Sequence, residues 1–215
     1  ALQILAGPRA RTHLRERGLR SEDVRVIPAA AGGPKGLALN ALDRFIFGHW
    51  LPASVQTVHL MGASIGAWRM ATACLSDADT ALRQLAEGYI AQAYPHQAGR
   101  FPKARDVSRV FADVLDAGLG AHVAQILSHP RFRLHVITSR GRHIMRREGR
   151  LSTPLGYLGA FATNLVSRRA MGGWLERVMF SDAREPLPFA LHDFRTKQVA
   201  LDAANLLPSI LASGS

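Results

Sequence analysis

Ser64 is the side chain with the clearest chemical potential, because it is the centre of Gly62-Ala63-Ser64-Ile65-Gly66, a G-x-S-x-G pattern. An apolar, β-branched segment precedes this pentapeptide, and a proline-free segment with helical periodicity follows it. A serine between a strand and a helix lies on a sharp turn that exposes its hydroxyl and requires glycine on both sides. We therefore predict that Ser64 is a nucleophile. The alternative is a plain strand-to-helix turn with Ser64 as the N-cap.

A second glycine motif lies in residues 31–36, which read Ala-Gly-Gly-Pro-Lys-Gly. Adjacent backbone N–H groups on such a loop can point at one anion. We predict that Gly32 and Gly33, together with Ile65, donate N–H groups to an oxyanion, and that Lys35 orients the loop or adds positive field. A phosphate-cradling loop or a simple turn remains open. A Walker loop is excluded, because no Gly-Lys-Ser/Thr follows.

The order and form of the two motifs resemble the patatin-like phospholipase family. That family carries G-G-G-x-[RK]-G, then G-x-S-x-G, then D-G-[GA]. In this chain Ala31 replaces the first glycine of the loop, whereas Lys35 and Gly36 keep its basic position and its last glycine. Residues 206–215 are similar to the helix and small-residue stretch before the family's third motif. The resemblance implies an α/β fold with a parallel-rich central sheet flanked by helices as a three-layer sandwich. It also implies hydrolysis of a lipid or small ester.

The sequence leaves open which residue acts as the base that would activate Ser64. In the family it is the aspartate of D-G-[GA], but no Asp-Gly pair occurs in the 215 residues. We therefore expect a fragment of a longer chain whose dyad aspartate lies beyond Ser215. An alternative is a Ser–His–Asp triad, because Asp182 and His192 follow Ser64 in the order that α/β-hydrolases use. A second alternative is a non-catalytic module that lacks its base and binds acyl or phosphate ligands.

The formal net charge of +11 is the strongest compositional feature. Such a charge suits nucleic acid, an anionic membrane or an acidic substrate, or reflects only an arginine-rich composition. The basic residues are spread over many elements with few aromatic residues among them, which argues against a nucleic-acid partner. Residues 140–150 form the densest basic stretch and suit either a phosphate headgroup or a solvated loop. We expect a lipid or small ester as substrate and peripheral contact with an anionic membrane.

The remaining composition favours a reducing compartment. Cys74 is the single cysteine, which excludes an internal disulfide, and we interpret it as a buried packing residue. The sequence has neither an apolar signal core nor an apolar run of membrane-spanning length. We therefore expect a cytoplasmic protein without a cofactor or metal, formed by one domain over residues 1–215.

Hydrophobic periodicity predicts the following elements. Strands are expected at residues 24–30, 55–61, 132–138 and 187–194. Helices are expected at residues 37–47, 65–75, 106–115, 121–128 and 199–211. A further helix is expected to begin with a capping box at Ser76. Residues 155–180 are interpreted as helical in pieces, either lining an acyl pocket, acting as a lid or packing in the core. Residues 1–21 are interpreted as a solvated basic arm rather than a short helix.

Overall fold

A five-stranded sheet is the centre of the computed structural model, which describes residues 5–93, 104–142, 152–193 and 195–214. The strands are β1 (Val26–Ala29), β2 (Val58–Ala63), β3 (Phe132–Gly141), β4 (Leu175–Asp182) and β5 (Thr196–Leu201), and they lie in this order across the sheet. The pairs β1–β2, β2–β3 and β4–β5 are parallel, and β4 is antiparallel to β3. The prediction of an α/β fold with a parallel-rich sheet is confirmed.

Helices flank this sheet, in an arrangement consistent with a three-layer sandwich. They are α1 (Pro8–Arg17), α2 (Asn40–Phe45), α3 (Ile65–Thr72), α4 (Ala78–Ile90), α5 (Ala104–Leu119), α6 (Val123–Ser128), α7 (Ser152–Val166) and α8 (Leu206–Gly214). Short 3₁₀ segments, Gly33–Leu39 and Arg168–Gly173 among them, extend the connections. The second and third strands follow helical crossovers, which is how parallel neighbours are joined.

The main core lies on one face of the sheet. Side chains alternate between the faces of a strand, so Leu60 of β2 shares a face with its partner Leu134 and with Val136 of β3. These residues are buried together with residues of α3 to α6 and α8. The other face carries the buried pair His59 and His135, whose Nδ1 and Nε2 atoms are 3.0 Å apart.

The first half of the chain follows the predicted order with shifted boundaries. Contrary to the expected basic arm, residues from Pro8 onward form α1, because a proline opens the helix and Gly18 ends it at φ 72°. None of its side chains is buried, so it is a solvated helix. Asp77 caps α4 by accepting a hydrogen bond from the Thr80 N–H at 3.0 Å, in place of the predicted cap Ser76.

The last third of the chain corrects three predictions. Residues 175–180, the end of the stretch interpreted as helical, belong to β4, which pairs with β3 on one side and with β5 on the other. Residues 187–194 were predicted as a strand, but residues 187–193 are irregular, and Pro186 and Pro188 cannot donate to a ladder. Residue 194 lies outside the described residues. The predicted helix over 199–211 is divided between β5 and α8.

Two further features bear on the location of the protein. Burial raises the pKa of the Cys74 thiol to about 12, and that side chain packs in the core as predicted.

The helical stretch Arg105–Ser128 is long and apolar enough to cross a membrane by length and composition alone. Its residues Leu115, Leu119 and Ile126 are buried in the core, whereas most of the stretch is not buried. The cytoplasmic location stays a prediction.

Candidate active site

Ser64 lies at a sharp turn between β2 and α3. Its backbone has φ 54° and ψ −128°, and it is the one non-glycine residue with positive φ among those that the structure describes. Such a conformation costs on the order of 1–3 kcal/mol and persists only where the surroundings hold it. An added Cβ at Gly62 would lie 2.5 Å from the Ala67 nitrogen. One at Gly66 would lie 2.7 Å from the Ala29 carbonyl carbon. Both glycines are therefore sterically required.

The glycine-rich loop packs directly on this turn. Gly36 lies so close to Ile65 that an added Cβ would be 2.7 Å from the Ile65 Cγ2 atom. The Ala29 and Ala30 carbonyls, at the end of β1, press on Gly66. The parallel register explains this, since Ala29 pairs with Gly62 and both strands end at the same edge of the sheet. The two motifs are thus brought together, as ligand sites in such sheets require.

A cavity of about 310 Å³ opens at Ser64. It is lined by Ala31, Ala63, Ser64, Ile137, Thr138, Ser139, Met171, Leu175, Arg177 and Ser213. Most of this lining is apolar, which suits a hydrocarbon chain more than a charged ligand. The Arg177 guanidinium is the charged group of the lining, and it forms an ion pair with Asp193 at 3.0 Å. The site therefore combines a serine hydroxyl with a compact apolar space.

Ser213 of α8 joins the turn to the sheet. Its hydroxyl accepts a hydrogen bond from the Ser64 N–H at 2.7 Å and donates one to the Ile137 carbonyl at 2.6 Å. The Ser64 N–H is therefore occupied and cannot act as an oxyanion donor.

The predicted oxyanion donors are the backbone N–H groups of Ile65, Gly32 and Gly33. Ile65 opens α3, and N–H groups in the first turn of a helix have no partner inside the helix. Gly32 and Gly33 lie in the glycine-rich loop of residues 31–36, in which Gly33 has φ 54°, a conformation that favours glycine. The Lys35 N–H donates to the Gly32 carbonyl at 3.3 Å, so it closes the loop, and the Lys35 side chain is exposed. Lys35 therefore acts on the loop and does not line the cavity.

The alternative triad is not assembled. Asp182 is buried and accepts four hydrogen bonds from Arg184, one from its backbone N–H and three from its guanidinium. Burial alone would raise its pKa, but the hydrogen bonds and charge of Arg184 outweigh that effect and hold the pKa of the carboxyl below its usual value. Because β4 is antiparallel to β3, Asp182 lies at the opposite end of the sheet from Ser64. His192 is exposed in the segment between β4 and β5.

No base contacts the Ser64 hydroxyl within the described ranges. Neither Asp182 nor His192 reaches it, and no group of three or more potential ligands for a metal occurs in that part of the chain. The structure therefore places the Ser64 hydroxyl beside an apolar cavity of about 310 Å³, next to the glycine-rich loop, and identifies no base for it among the described residues.

The chain was compared with protein-family models, with curated proteins and with solved structures, and none of the three comparisons gave a match.

Several cavity residues had no signal in the sequence. Arg177 was missed because its segment was interpreted as helical. Ile137 pairs with Ala63, the last residue of β2, and Ser139 lies where β3 extends beyond that strand. Ser213 lies within the small-residue stretch singled out for its family resemblance, but its contact with Ser64 depends on the tertiary fold.

Proposed function

We propose that the protein is a serine acyl hydrolase that acts on a lipid or small ester through Ser64. The observation that carries the proposal is the convergence of a strained serine turn and a glycine-rich loop over one apolar cavity. Turn strain at a non-glycine residue is typical of functional sites. The patatin-like resemblance of the same two motifs supports the proposal independently of the cavity.

The chemistry follows the usual two steps of acyl transfer. The Ser64 hydroxyl attacks the ester carbonyl while its proton passes to a base, and the resulting oxyanion accepts hydrogen bonds from Ile65, Gly32 and Gly33. The intermediate collapses, and the alcohol leaves with the proton from the base. Water then attacks the acyl-serine, and the same base takes and returns its proton. The family resemblance implies that the base is the aspartate of a D-G-[GA] motif, and no Asp-Gly pair occurs in the 215 residues.

A fluorophosphonate probe tests the proposal, because it forms a covalent P–O bond with an activated serine and releases fluoride. The probe is applied to the 215-residue chain and to a version extended past Ser215, and the adduct is mapped by mass spectrometry. We expect labelling at Ser64 in the extended chain and none in Ser64→Ala. Ser209→Ala, which removes a buried hydroxyl of α8, is the matched control and should still be labelled. A folded, extended chain without label would contradict the proposal and favour a binding module.

The same labelling experiment distinguishes the two candidate bases, the aspartate implied by the family resemblance and His192. His192→Ala should leave the labelling rate of Ser64 within about twofold, because its exposed ring does not line the cavity. A loss of about a hundredfold or more, with unchanged folding, would instead assign general-base catalysis to His192.

The proposed partner of this site is an anionic lipid surface, and α7 carries that part of the proposal. Leu158, Phe161 and Leu165 lie on one face of the helix and are 64, 62 and 73% exposed. The helix contains no charged residue, and in the sequence Arg150 lies two positions before it and Arg168 two positions after it. A helix with an exposed apolar stripe between basic flanks suits the boundary of an anionic bilayer.

The position of α7 relates this surface to the catalytic cavity. The helix leads through Ser167 into the 3₁₀ segment Arg168–Gly173, in which Met171 lines the cavity of Ser64. On its inner side, Gly159 is pressed against Trp174, which precedes β4. A lipid bound by the outer stripe would therefore lie close to the cavity.

A further inference from the structure

We propose that Ser213 is a positioning residue that holds the nucleophile turn in its reactive conformation. The inference rests on the proposed function, because it concerns the geometry of Ser64 as a nucleophile. Its evidence is separate from the glycine motifs, since it comes from the hydrogen bonds of α8.

The Ser213 hydroxyl can be assigned a direction. A hydroxyl has one proton to donate, and here the Ile137 carbonyl, which has none to give, is 2.6 Å away. The proton therefore points at Ile137, and a lone pair accepts the Ser64 N–H at 2.7 Å. With its proton bound in this way, Ser213 is not a second nucleophile, although it lines the same cavity.

These two bonds connect three elements at one point. Ile137 belongs to β3, Ser64 ends the turn after β2, and Ser213 lies in the last turn of α8. The strained φ of Ser64 has to be fixed by its surroundings, and the glycines only make room for it. Ser213 contributes an attractive interaction that fixes the Ser64 backbone, and hence the direction in which its hydroxyl faces the cavity.

The hydrogen bond from the Ser64 N–H to Ser213 also gives the two N–H groups of the turn, those of Ser64 and Ile65, different roles. Ser64 gives its N–H to the protein, whereas Ile65, one residue further on, keeps its N–H for the substrate oxygen. If Ser213 were removed, the Ser64 N–H would be free to move toward the oxyanion position or toward water. Both the nucleophile and the neighbouring donor would then lose their fixed orientation, and misplacement by about 1 Å can reduce a rate by about a hundredfold.

The test compares Ser213→Ala, Ser213→Thr and Ser209→Ala in the chain extended past Ser215. Thr restores the hydroxyl, and Ser209 is a matched control because its buried hydroxyl bonds only within α8, to the Leu206 carbonyl at 2.8 Å. With a soluble short-chain p-nitrophenyl ester, Ser213→Ala should lower kcat about tenfold to a hundredfold with KM within about threefold. Ser213→Thr should recover most of kcat, and Ser209→Ala should keep it.

Amide hydrogen exchange provides a readout that does not depend on catalysis. The Ser64 N–H should exchange faster in Ser213→Ala than in the unsubstituted chain, and should be protected again in Ser213→Thr. An unchanged kcat and unchanged exchange in Ser213→Ala would overturn the inference. So would equal losses of kcat in Ser213→Ala and Ser209→Ala, since these would indicate a general effect of α8. If the unsubstituted chain failed to react at Ser64 while the exchange pattern held, the proposed function would fail and the positioning contact would stand.

Discussion

Two features of Ser64 are energetically unfavourable, its strained backbone conformation and the close packing of its turn, and neighbouring residues offset both. Gly66 supplies the space, because the Ala29 carbonyl occupies the position that a Cβ would take. Gly62 does the same against the backbone of α3. The arrangement leaves the side chain of Ser64 free to face the cavity while its backbone stays fixed. The site therefore depends on the lack of side chains at Gly62 and Gly66 as much as on the side chain of Ser64.

Gly66→Ala should therefore damage both stability and reactivity. Overpacking of this kind costs about 1–3 kcal/mol in the free energy of unfolding, and the shift needed to relieve it would move Ser64. Chemical denaturation measures the first effect, and the rate of fluorophosphonate labelling measures the second.

The matched control for that substitution is Gly88→Ala. Gly88 is in α4, and an added Cβ there meets nothing within 4 Å. Alanine should stabilise this helix by about 0.5–1 kcal/mol and leave labelling unchanged. Equal and neutral effects at Gly66 and Gly88 would contradict the steric interpretation of the turn.

At the scale of elements, α7 is the helix whose surface least resembles that of an ordinary solvent-exposed helix. Exposed faces of such helices usually carry charged residues, but α7 has none. Its inner side contacts Trp174 through Gly159, and the side chains of its outer stripe are largely exposed. These facts make α7 the part of the molecule on which the proposed lipid contact can be tested.

Phe161→Asp should weaken binding to vesicles of mixed phosphatidylcholine and phosphatidylglycerol. Burial of a phenylalanine side chain contributes about 1.5–3 kcal/mol, so its loss should lower the affinity roughly tenfold to a hundredfold. Co-sedimentation measures the binding, and hydrolysis of a soluble ester should stay unchanged.

Ile90→Asp provides the control for vesicle binding, because Ile90 is a 76% exposed apolar residue on α4. It should leave vesicle binding as it is. If Phe161→Asp instead left vesicle binding intact and converted a dimer to a monomer in light scattering, the outer stripe of α7 would be a contact between copies of the chain.

The sequence predicted those elements whose determinants are local. The turn at Ser64 follows from two glycines and their flanks, and the parallel order of β1 to β3 follows from intervening helices. β4 was missed because its apolar residues do not distinguish a strand between two partners from a buried helix. The link between Ser213 and Ser64 could not be predicted, because 149 positions separate the two residues and only the docked α8 brings them together.

At the scale of the whole molecule, the half-buried His129 and the buried His135 relate stability to pH. Burial, with the charges of Arg131, Arg184 and Arg133, lowers the pKa of His129 to about 4. The His129 Nδ1 accepts hydrogen bonds from two backbone N–H groups, those of Arg131 and Phe132, which protonation would break. Burial also lowers the pKa of His135 to about 4, with a smaller contribution from His59. Both side chains therefore stay neutral in the folded protein at neutral pH.

The stability of the protein should fall as the pH is lowered from about 6.5 to about 4. In that interval the unfolded chain binds protons at these histidines and the folded chain does not, so protonation favours unfolding. Above about pH 6.5 both states are neutral at these sites, and their contribution to stability is fully present. Urea denaturation at successive pH values measures the effect.

His129→Asn isolates one of the two contributions. Its side-chain oxygen can accept the same backbone N–H groups without titrating, so the dependence of stability on pH should become shallower. A profile that stays equally steep in His129→Asn would exclude His129 as its source.

The position of Ser213 near the end of the described chain has a consequence for biosynthesis. A nascent chain emerges from its N-terminus, so the serine turn and its glycine loop are made long before α8. Until α8 docks, Ser64 lacks the contact that fixes its backbone, and closing so long a loop comes late in the assembly of a sheet. The incomplete polypeptide thus lacks the contact that orients Ser64, and we expect probe reactivity at Ser64 to appear only after α8 has docked.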